Sequence, residues 1–549
     1  MKLSRDFSVR RRLFVFATGL ACAVGVGAAV DIGAQESGAT PVAISVDTGP
    51  RQALLGVGAS ELIGTHETFG RLSEDRRQRL HEELWGGLSF NAMRLWLRLE
   101  EYAPQAGVRD LDRGFDTPYL EMIRGAQAQG VDTFILSGDG APDYMRETRW
   151  FRDHRGQLVD KVVLKPDMVD DHAAALADYV LEVRETHDIH IEAVTLQNEP
   201  DSAWGDFRLY YDPALMVQGV KQLRGALDER GLSDVKIIGG ETANADQTGL
   251  GMLHALRDDP VAWDALGGIA THSYNMAATP EFYDFTVADE AGRTREYWQT
   301  EAASLGPENV GDVERGASLA ARFLNDMNHG VTHWFHFIGY SYDDPNDNGS
   351  HIITYNPDAG PDDEGWITTY TKYYYLQQLT DTFDIGAVFR GSDSDLESEH
   401  GMLWTYGRKP QIVSSTAQNP DGSWGIAVVN YTSDEFRDDP GFYADNAGYD
   451  AEAFEVTIYV DELSAYHALE FAVALSGLEQ DALLENEALQ TLTMRHGYLR
   501  LTIDPLQLIT LRSVGVSQLI IPEPAGLLSV LTLVVLGMLG YDRRRGNPI

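Results

Sequence analysis

Between about residues 50 and 340, short apolar runs alternate with longer amphipathic ones. Strand-length apolar runs, each followed by helical spacing, predict repeated βα units and a parallel sheet. Eight strands are predicted, at 53–60, 92–98, 133–138, 191–198, 235–241, 268–274, 296–300 and 331–339. The clearest helices are predicted at 72–85, with Ser73 as N-cap, and at 171–187, 214–230 and 313–329.

Eight such units indicate an α/β fold of the (β/α)₈ type, the TIM barrel. A doubly wound open sheet is the alternative. No Gly-x-Gly-x-x-Gly turn follows the first strand, which disfavours a dinucleotide-binding sheet of that kind. We therefore expect a barrel at residues 50–380.

The pattern changes after residue 380, where short alternating segments recur without long helices. Alternation of this kind predicts an antiparallel β-sandwich as a C-terminal side domain. Its predicted strands are 411–418, 424–431, 454–460, 469–475, 491–495 and 498–503. The early strand 42–46 precedes the barrel and is expected to join it, so the side domain is predicted to comprise 381–515 together with 42–49.

The N-terminus has the pattern of a signal peptide at residues 1–34. Arg10, Arg11 and Arg12 precede an apolar stretch at 13–30, and small residues near Ala34 offer cleavage sites. The single cysteine, Cys22, lies in this segment, so the exported chain is expected to hold no disulfide.

The C-terminus, at 519–545, joins a Pro-Glu-Pro motif at 522–524 to an apolar run at 525–541 and three arginines at 543–545. At about 1.5 Å per residue the run nearly spans a bilayer core. The order resembles the PEP-CTERM sorting signal, which implies an exosortase-type processing partner. A plain membrane anchor is the alternative. We expect an exported protein of the cell envelope or exterior, transiently anchored through this helix.

The formal net charge of −41 makes a nucleic-acid or anionic-lipid partner unfavourable. The chemistry that stands out is instead a pair of acidic residues. Glu199, in Gln-Asn-Glu-Pro, and Glu301, in Trp-Gln-Thr-Glu, close the fourth and seventh predicted strands. Residues at the C-terminal ends of barrel strands face the active site, and two carboxyl groups flanking one bond are what glycosidic cleavage needs. A surface Asn-Glu-Pro turn, and a helix start at Glu301, are the structural alternatives.

Other polar and aromatic residues are predicted to lie at the same C-terminal end of the barrel and to contact the substrate. Asn198 can hydrogen-bond a sugar hydroxyl. Arg94 can hold Glu301 ionised by charge pairing or else form a buried structural ion pair, and Tyr274 can hydrogen-bond Glu301 or else be an aromatic residue at the rim. His272 is expected to face the same side of its strand as Tyr274, and His336 the same side as Trp334. Trp334 is either a stacking platform for sugar or a core residue. The full predicted substrate-binding set is Asn198, Arg94, His272, Tyr274, Trp334, His336, Asp139 and Trp204.

No metal or cofactor is expected. Residues 344–349 begin like a calcium loop, but Tyr355 stands where that pattern requires glutamate, which favours a solvated acidic loop. Clustered Cys/His ligand sets are absent from the sequence.

Together these segments resemble glycoside hydrolase family 30 of clan A. The resemblance rests on Gly56-Val57-Gly58, on 193–200 (Ala-Val-Thr-Leu-Gln-Asn-Glu-Pro), on His272-x-Tyr274 and on Thr300-Glu301-Ala302. It implies a retaining β-glycoside hydrolase acting on a polysaccharide or oligosaccharide, with Glu199 as acid/base and Glu301 as nucleophile. The third strand ends in Ser137-Gly138-Asp139 and lacks the family's Ser-Pro-Trp-type ending. The alternatives are an inverting hydrolase and a non-catalytic carbohydrate-binding or matrix protein.

Overall fold

The structure is a computed structural model that describes residues 39–60, 66–152, 156–202, 208–274, 276–289, 292–303, 312–342, 350–360, 363–394, 411–433, 450–477 and 491–514. All of these residues belong to one compact unit of the chain. Within them, no helix combines the length and apolar character that crossing a membrane requires. The predicted leader at 1–34 and tail at 519–545 lie outside the described residues.

Eight parallel strands close into a barrel in chain order, each pairing with its neighbours in the sequence. They are Gly56–Ser60, Ala92–Arg98, Thr133–Asp139, Ala193–Thr195, Lys236–Thr242, Leu266–His272, Glu296–Ala302 and His333–His336. Every one overlaps a predicted strand, so the barrel prediction is confirmed and the open-sheet alternative is wrong. We number them as the first to eighth barrel strands.

Helices surround the barrel and fill the connections. They are His66–Gly70, Glu74–His81, Leu99–Tyr102, Leu111–Gly114, Thr117–Ala128, Val169–His187, Pro213–Glu229, Gln247–Asp258, Pro260–Ala265, Pro280–Tyr283, Asp312–Asn328 and Thr371–Thr382. Aspartates cap several of them; Asp212, for example, accepts from the Leu215 N–H beside Pro213. Ser73 occupies the N-cap position of its helix, but its side chain makes no capping hydrogen bond, a correction to the prediction. Glu74 and Asp75 instead place negative charge in that first turn.

The barrel interior below the strand ends is filled by a small apolar cluster: Ala92, Ile135, Ala193, Ile238, Ala270, Trp298 and Phe335. Trp298 stacks on His333 with ring centroids 3.5 Å apart. Space for the His333 ring comes from Gly56 in the first strand, because a Cβ on Gly56 would lie 2.6 Å from the His333 Cδ2 atom. The inward side chains are therefore small on some strands and large on others, and together they form a packed layer beneath the polar residues at the strand ends.

Two further sheets form the predicted side sandwich. A four-stranded sheet has the order Ser392–Ser394, Thr40–Val46, Phe454–Val460, Tyr498–Ile503. A six-stranded sheet has the order Val388–Arg390, Ile412–Gln418, Trp424–Asn430, Leu508–Ser513, Leu469–Ser476, Thr491–Met494. Strand 40–46 joins the sandwich as predicted but runs parallel to 454–460, since no hairpin turn fixes the direction of a strand from the other end of the chain. The sandwich is thus mixed rather than wholly antiparallel.

Strands 412–418, 424–430 and 508–513 of the six-stranded sheet are buried on both faces, which explains why strand 424–430 lacks alternation. Ile426 and Val428 pack into the sandwich core, whereas Ala427 and Val429 pack into the barrel core. The Ser415 hydroxyl donates to the Leu324 carbonyl on the helix before the eighth barrel strand, at 2.8 Å. The side domain is therefore fixed firmly to the barrel wall.

Smaller elements complete the described fold. A hairpin pairs Arg146–Arg152 with Leu158–Leu164 after the third barrel strand. After the eighth barrel strand, a three-stranded sheet contains Ile338–Tyr342, His351–Tyr355 and Ile367–Thr369. A π-helical turn at Glu82–Gly86 and short 3₁₀ turns at Pro166–Met168, Glu364–Trp366 and Asp461–Leu463 complete the set. The sequence analysis predicted neither the hairpin nor the three-stranded sheet.

Candidate active site

An irregularity in the seventh barrel strand brings Glu301 to the barrel interior. Trp298 points inward, so strict alternation would turn Glu301 toward the outer core with Tyr297. The pairing with the sixth strand shifts register between Gln299 and Glu301, and Glu301 pairs with His272. A bulge of this kind re-aims the side chains beyond it.

Glu199 is positioned by an unusual backbone at the end of the fourth strand. Its φ of 45° lies in the left-handed region, immediately before Pro200. The Glu199 N–H donates to the Glu241 carbonyl at 3.1 Å, and the Asn198 N–H donates to the Gly138 carbonyl at 2.7 Å. Strained conformations of this kind, each costing about 1–3 kcal/mol, are concentrated at functional sites. The neighbouring third and fifth strands thus hold the Asn-Glu-Pro segment in its conformation.

These backbone arrangements bring Glu199 and Glu301 together across one cleft. A carboxylate oxygen of each and a ring nitrogen of His272 all lie within 4.8 Å of one another. His272 Nδ1 is 3.4 Å from Glu199 Oε1 and 3.8 Å from Glu301 Oε1. Both carboxylates are largely buried, with 7% and 3% of Glu199 and Glu301 exposed. The pair therefore has the proximity that chemistry on one bond requires.

Glu301 is held by two donors that the sequence analysis had placed near it. Arg94 Nη1 donates to Oε2 and the Tyr274 hydroxyl donates to Oε1. Burial and the charge of Glu301 raise the pKa of Tyr274 well above its usual value, so the phenol keeps its proton. Arg94 is fully buried and its own pKa is raised, because the charges of Glu241 and Glu301 outweigh burial. The two donors therefore fix the orientation of the Glu301 carboxylate.

A third glutamate, Glu241, was missed by the sequence analysis. It accepts from Arg94 Nη2 at 3.0 Å, from the Ser137 hydroxyl at 2.6 Å and from the Thr195 hydroxyl. Its φ of 56° accompanies a register shift in the fifth strand between Gly240 and Thr242. The same strand-end rule that selected Glu199 and Glu301 applies to Glu241 and could have found it. Its contacts fix the guanidinium of Arg94 from the side away from Glu301.

We expect Glu241→Gln to lower turnover about 100-fold while the protein stays folded, because a displaced Arg94 would no longer orient Glu301. KM should change much less than kcat. Glu192→Gln is the matched control, since Glu192 pairs with Lys236 at the other end of the barrel. Steady-state kinetics and melting temperatures for both variants check this. Equal kcat values in the two variants would contradict the positioning role.

Glu199 lies beside His272 and Arg208. Burial raises the pKa of Glu199, but these two neighbours lower it, to about 2 overall. Arg208 Nη1 donates to Glu199 Oε2 at 2.7 Å, and the Ser202 hydroxyl donates to the same oxygen at 3.1 Å. Glu199 is therefore an anion in the substrate-free protein at neutral pH. Arg208 is not among the predicted site residues, because it lies nine residues beyond Glu199 and at no predicted strand end.

Asp139 lies beside this group at the end of the third strand. Its Oδ1 is 3.5 Å from Arg208 Nε and accepts from Gln197 Nε2 at 3.5 Å. Burial raises the pKa of Asp139 to about 6, although Arg208 acts in the opposite direction. Arg208 thus lies between two buried carboxyl groups.

Asn198 also lies in the cleft, where its Oδ1 accepts from Arg94 Nη2 at 2.8 Å. Its buried Nδ2 has no hydrogen-bond partner among the described residues. A buried amide donor without an acceptor is costly, and a ligand oxygen would satisfy it.

Trp334 and His336 are corrections to the predicted set. The inward side of their strand is taken by His333 and Phe335. Trp334 points to the helix layer, where Nε1 donates to Asp326 Oδ2 at 3.1 Å. His336 is fully buried with Nδ1 3.0 Å from the Ile338 carbonyl oxygen, and burial lowers its pKa well below the usual value. Neither residue offers a face to the cleft.

Trp204 and the acidic loop at 344–349 lie outside the described residues. Of the described residues, Glu199, His272 and Glu301 offer atoms close enough to hold a cation. Arg94, Tyr274 and Arg208 already donate to these two carboxylates. The donor set is thus that of a hydrogen-bonded carboxylate pair.

No protein-family model matches the chain. It is 25% identical over 326 residues to the Caenorhabditis elegans protein "Putative glucosylceramidase 3", covering 53% of this chain and 60% of that one. The chain therefore spans less than two thirds of this relative's length.

Solved structures share the fold. The catalytic domain of GH30 xylanase C from Talaromyces cellulolyticus aligns with a TM-score of 0.62 at 14% identity, covering 86% of this chain and 100% of that one. A GH30 endoxylanase from Clostridium papyrosolvens aligns at 0.58 and 16%, covering 87% and 100%. The endo-β1,6-glucanase BT3312 aligns at 0.57 and 15%, covering 86% and 94%. The chain thus has the barrel-and-side-domain fold of these glycoside hydrolase structures.

Proposed function

We propose that this protein is a retaining β-glycoside hydrolase of the family 30 type. The observation that carries the proposal is that a carboxylate oxygen of Glu199 and one of Glu301 lie within 4.8 Å of each other at the C-terminal end of the barrel. Retaining enzymes place their carboxyl groups about 5–5.5 Å apart, whereas inverting enzymes need about 6.5–9.5 Å to admit a water. The shorter separation supports double displacement.

In the first step, a Glu301 carboxylate oxygen attacks the anomeric carbon as the bond to the leaving oxygen breaks. Glu199 transfers a proton to that oxygen, and the leaving sugar departs as an alcohol. In the second step, the Glu199 carboxylate takes a proton from water, and the resulting hydroxide oxygen bonds to the anomeric carbon. The bond to Glu301 breaks, so the product retains its configuration and both carboxyl groups return to their starting states.

The surrounding residues have roles in this scheme. Arg94 and Tyr274 hold the Glu301 carboxylate in one orientation before attack. The free Nδ2 of Asn198 would donate to the sugar hydroxyl next to the anomeric carbon, an interaction that strengthens in the transition state. Protonation of Glu199 requires its contact with Arg208 to weaken once substrate fills the cleft.

We expect Arg208→Gln to move the basic limb of the kcat/KM profile to higher pH. Removing a cation beside Glu199 raises the pKa of that carboxyl, so the proton needed for the first step is kept to higher pH. Arg109→Gln, on the barrel's outer layer beside Asp178, is the matched control. Profiles on one aryl β-glycoside test this, and identical basic limbs in all three proteins would argue against it.

The substrate class is a β-linked polysaccharide or oligosaccharide. The proposal further includes export through the leader at 1–34, sorting through the tail at 519–545, and the division into a barrel at 50–380 and a sandwich at 381–515. Purified protein incubated with β-glucan, galactan and xylan, followed by product analysis, tests the activity. We expect sugar release from at least one polymer by the wild type and none by Glu301→Gln. The proposal fails if nothing is released or if the two proteins release equal amounts.

A further inference from the structure

A cavity of about 830 Å³, separate from the catalytic cleft, lies where the four-stranded sheet of the sandwich meets the barrel. Its sheet side includes Ser45, Thr457, Tyr459 and Tyr498, and its barrel side includes Tyr283 and Asn328. Polar and aromatic groups thus line a trough large enough for several sugar units.

The trough is remote from the catalytic cleft. Arg51, which lines it, comes just before the first barrel strand, and Asn328 ends the helix that returns to the start of the eighth. Both positions belong to the N-terminal end of the barrel, whereas Glu199 and Glu301 stand at the C-terminal ends of their strands. Arg51 Nη1 donates to the Asn328 carbonyl at 2.7 Å, which joins the sheet side to the barrel side.

Two tyrosines form an aromatic surface along the sheet side. Tyr459 and Tyr498 are directly paired on neighbouring antiparallel strands, with ring centroids 4.5 Å apart and planes at 33°. Tyr498 is 55% exposed, and the Tyr459 hydroxyl donates to Asp461 Oδ1 at 2.7 Å, which orients its ring. Exposed, oriented rings of this kind suit the apolar C–H face of a pyranose.

The rest of the trough suits a neutral, hydroxyl-rich ligand. Ala43, Ser45 and Thr457 are small side chains on the outward side of the sheet, so they leave room above the strands. Arg51 Nη2 donates to Asp47 Oδ2 at 2.7 Å, so this cation is balanced by a neighbouring carboxylate, and the Asp393 carboxylate that also lines the trough disfavours an anionic ligand. Hydroxyl, carboxylate and guanidinium groups here can each hydrogen-bond a sugar hydroxyl.

We propose that this trough is a second glycan-binding site that holds a neutral segment of the polysaccharide away from the cleft. This inference rests on the proposed function, since it takes the same class of polymer. Holding one segment of a chain raises the local concentration of others at the active site, which favours polymers over small substrates.

The test uses the full chain with both Tyr459 and Tyr498 replaced by alanine, and Tyr498→Phe as the matched control that keeps the ring. Affinity electrophoresis in soluble β-glucan and in xylan measures polymer binding, and an aryl β-glycoside measures the catalytic site. We expect the double variant to bind the retarding polymer at least about tenfold more weakly, with unchanged aryl glycosidase activity. Tyr498→Phe should bind like the wild type.

Thr457→Arg provides an independent variant, because the larger side chain fills the trough while both tyrosine rings are kept. The Thr457 side chain is half-buried on the outer face of its strand, so the larger residue can be accommodated there. It should weaken binding as the double variant does. The inference is overturned if the wild type binds neither polymer, or if a folded trough variant binds like the wild type. Because binding is read without turnover, a wild type that binds through the tyrosines but cleaves nothing would reject only the proposed catalysis.

Discussion

Glu301→Gln is expected to reduce turnover by about four orders of magnitude or more, because the amide cannot form the glycosyl-enzyme. The fold should survive, since glutamine has the same shape and Arg94 keeps its contact with Glu241. Initial rates on an aryl β-glycoside and the melting temperature measure the two effects.

Glu296→Gln is the control for this substitution. Glu296 begins the same strand and pairs with Lys236 at the far end of the barrel, so its loss should leave kcat nearly unchanged. A second result would identify the role directly. Azide added to Glu301→Ala should restore activity and give the α-glycosyl azide, because the small anion attacks from the face that Glu301 occupied. Near-normal turnover in Glu301→Gln would exclude this residue as nucleophile.

Glu199→Ala should have an effect that depends on the leaving group. Cleavage of a glycan, whose leaving alcohol needs a proton, should fall about 10²–10⁴-fold. The first step with a dinitrophenyl β-glycoside should be far less affected, since that phenolate leaves without protonation. The variant should then accumulate glycosyl-enzyme, because Glu199 is also needed to activate water.

Azide added to Glu199→Ala should speed turnover and give the β-glycosyl azide, opposite in configuration to the product from Glu301→Ala. Asp139→Asn is a useful companion, because Asp139 shares Arg208 with Glu199 but does not touch Glu301 in the described contacts. It should retain the dependence of the wild type on the leaving group. A Glu199→Ala variant in which the first step is slowed equally for the glycan and for the dinitrophenyl glycoside would contradict the acid role.

The barrel was predictable because each strand is a short apolar run followed by a helical pattern, and all eight predicted runs became barrel strands. The strand-end rule likewise selected Glu199 and Glu301 correctly as neighbours in space. The inward direction of the Glu301 side chain was not predictable, since simple alternation along the strand turns it outward. The register shift that corrects it depends on pairing with the sixth strand, a tertiary effect.

The same limit explains the errors at Trp334 and His336. Both lie in the eighth strand, and His336 is its last residue, but the stack of His333 on Trp298 turns His333 and Phe335 inward and therefore Trp334 and His336 outward. Arg208 was not predicted because it lies beyond the end of the fourth strand, where the strand-end rule does not select it. Glu241 satisfies the rule, since it lies near the end of the fifth strand.

The central claim, two glutamates close enough for double displacement, is tested most directly by the configuration of the first-formed product. Proton NMR during cleavage of a β-linked glycan resolves the anomeric signals before mutarotation mixes them. Double displacement by Glu199 and Glu301 releases the β-anomer first. Initial formation of the α-anomer would require a water between the two carboxylates and would contradict double displacement.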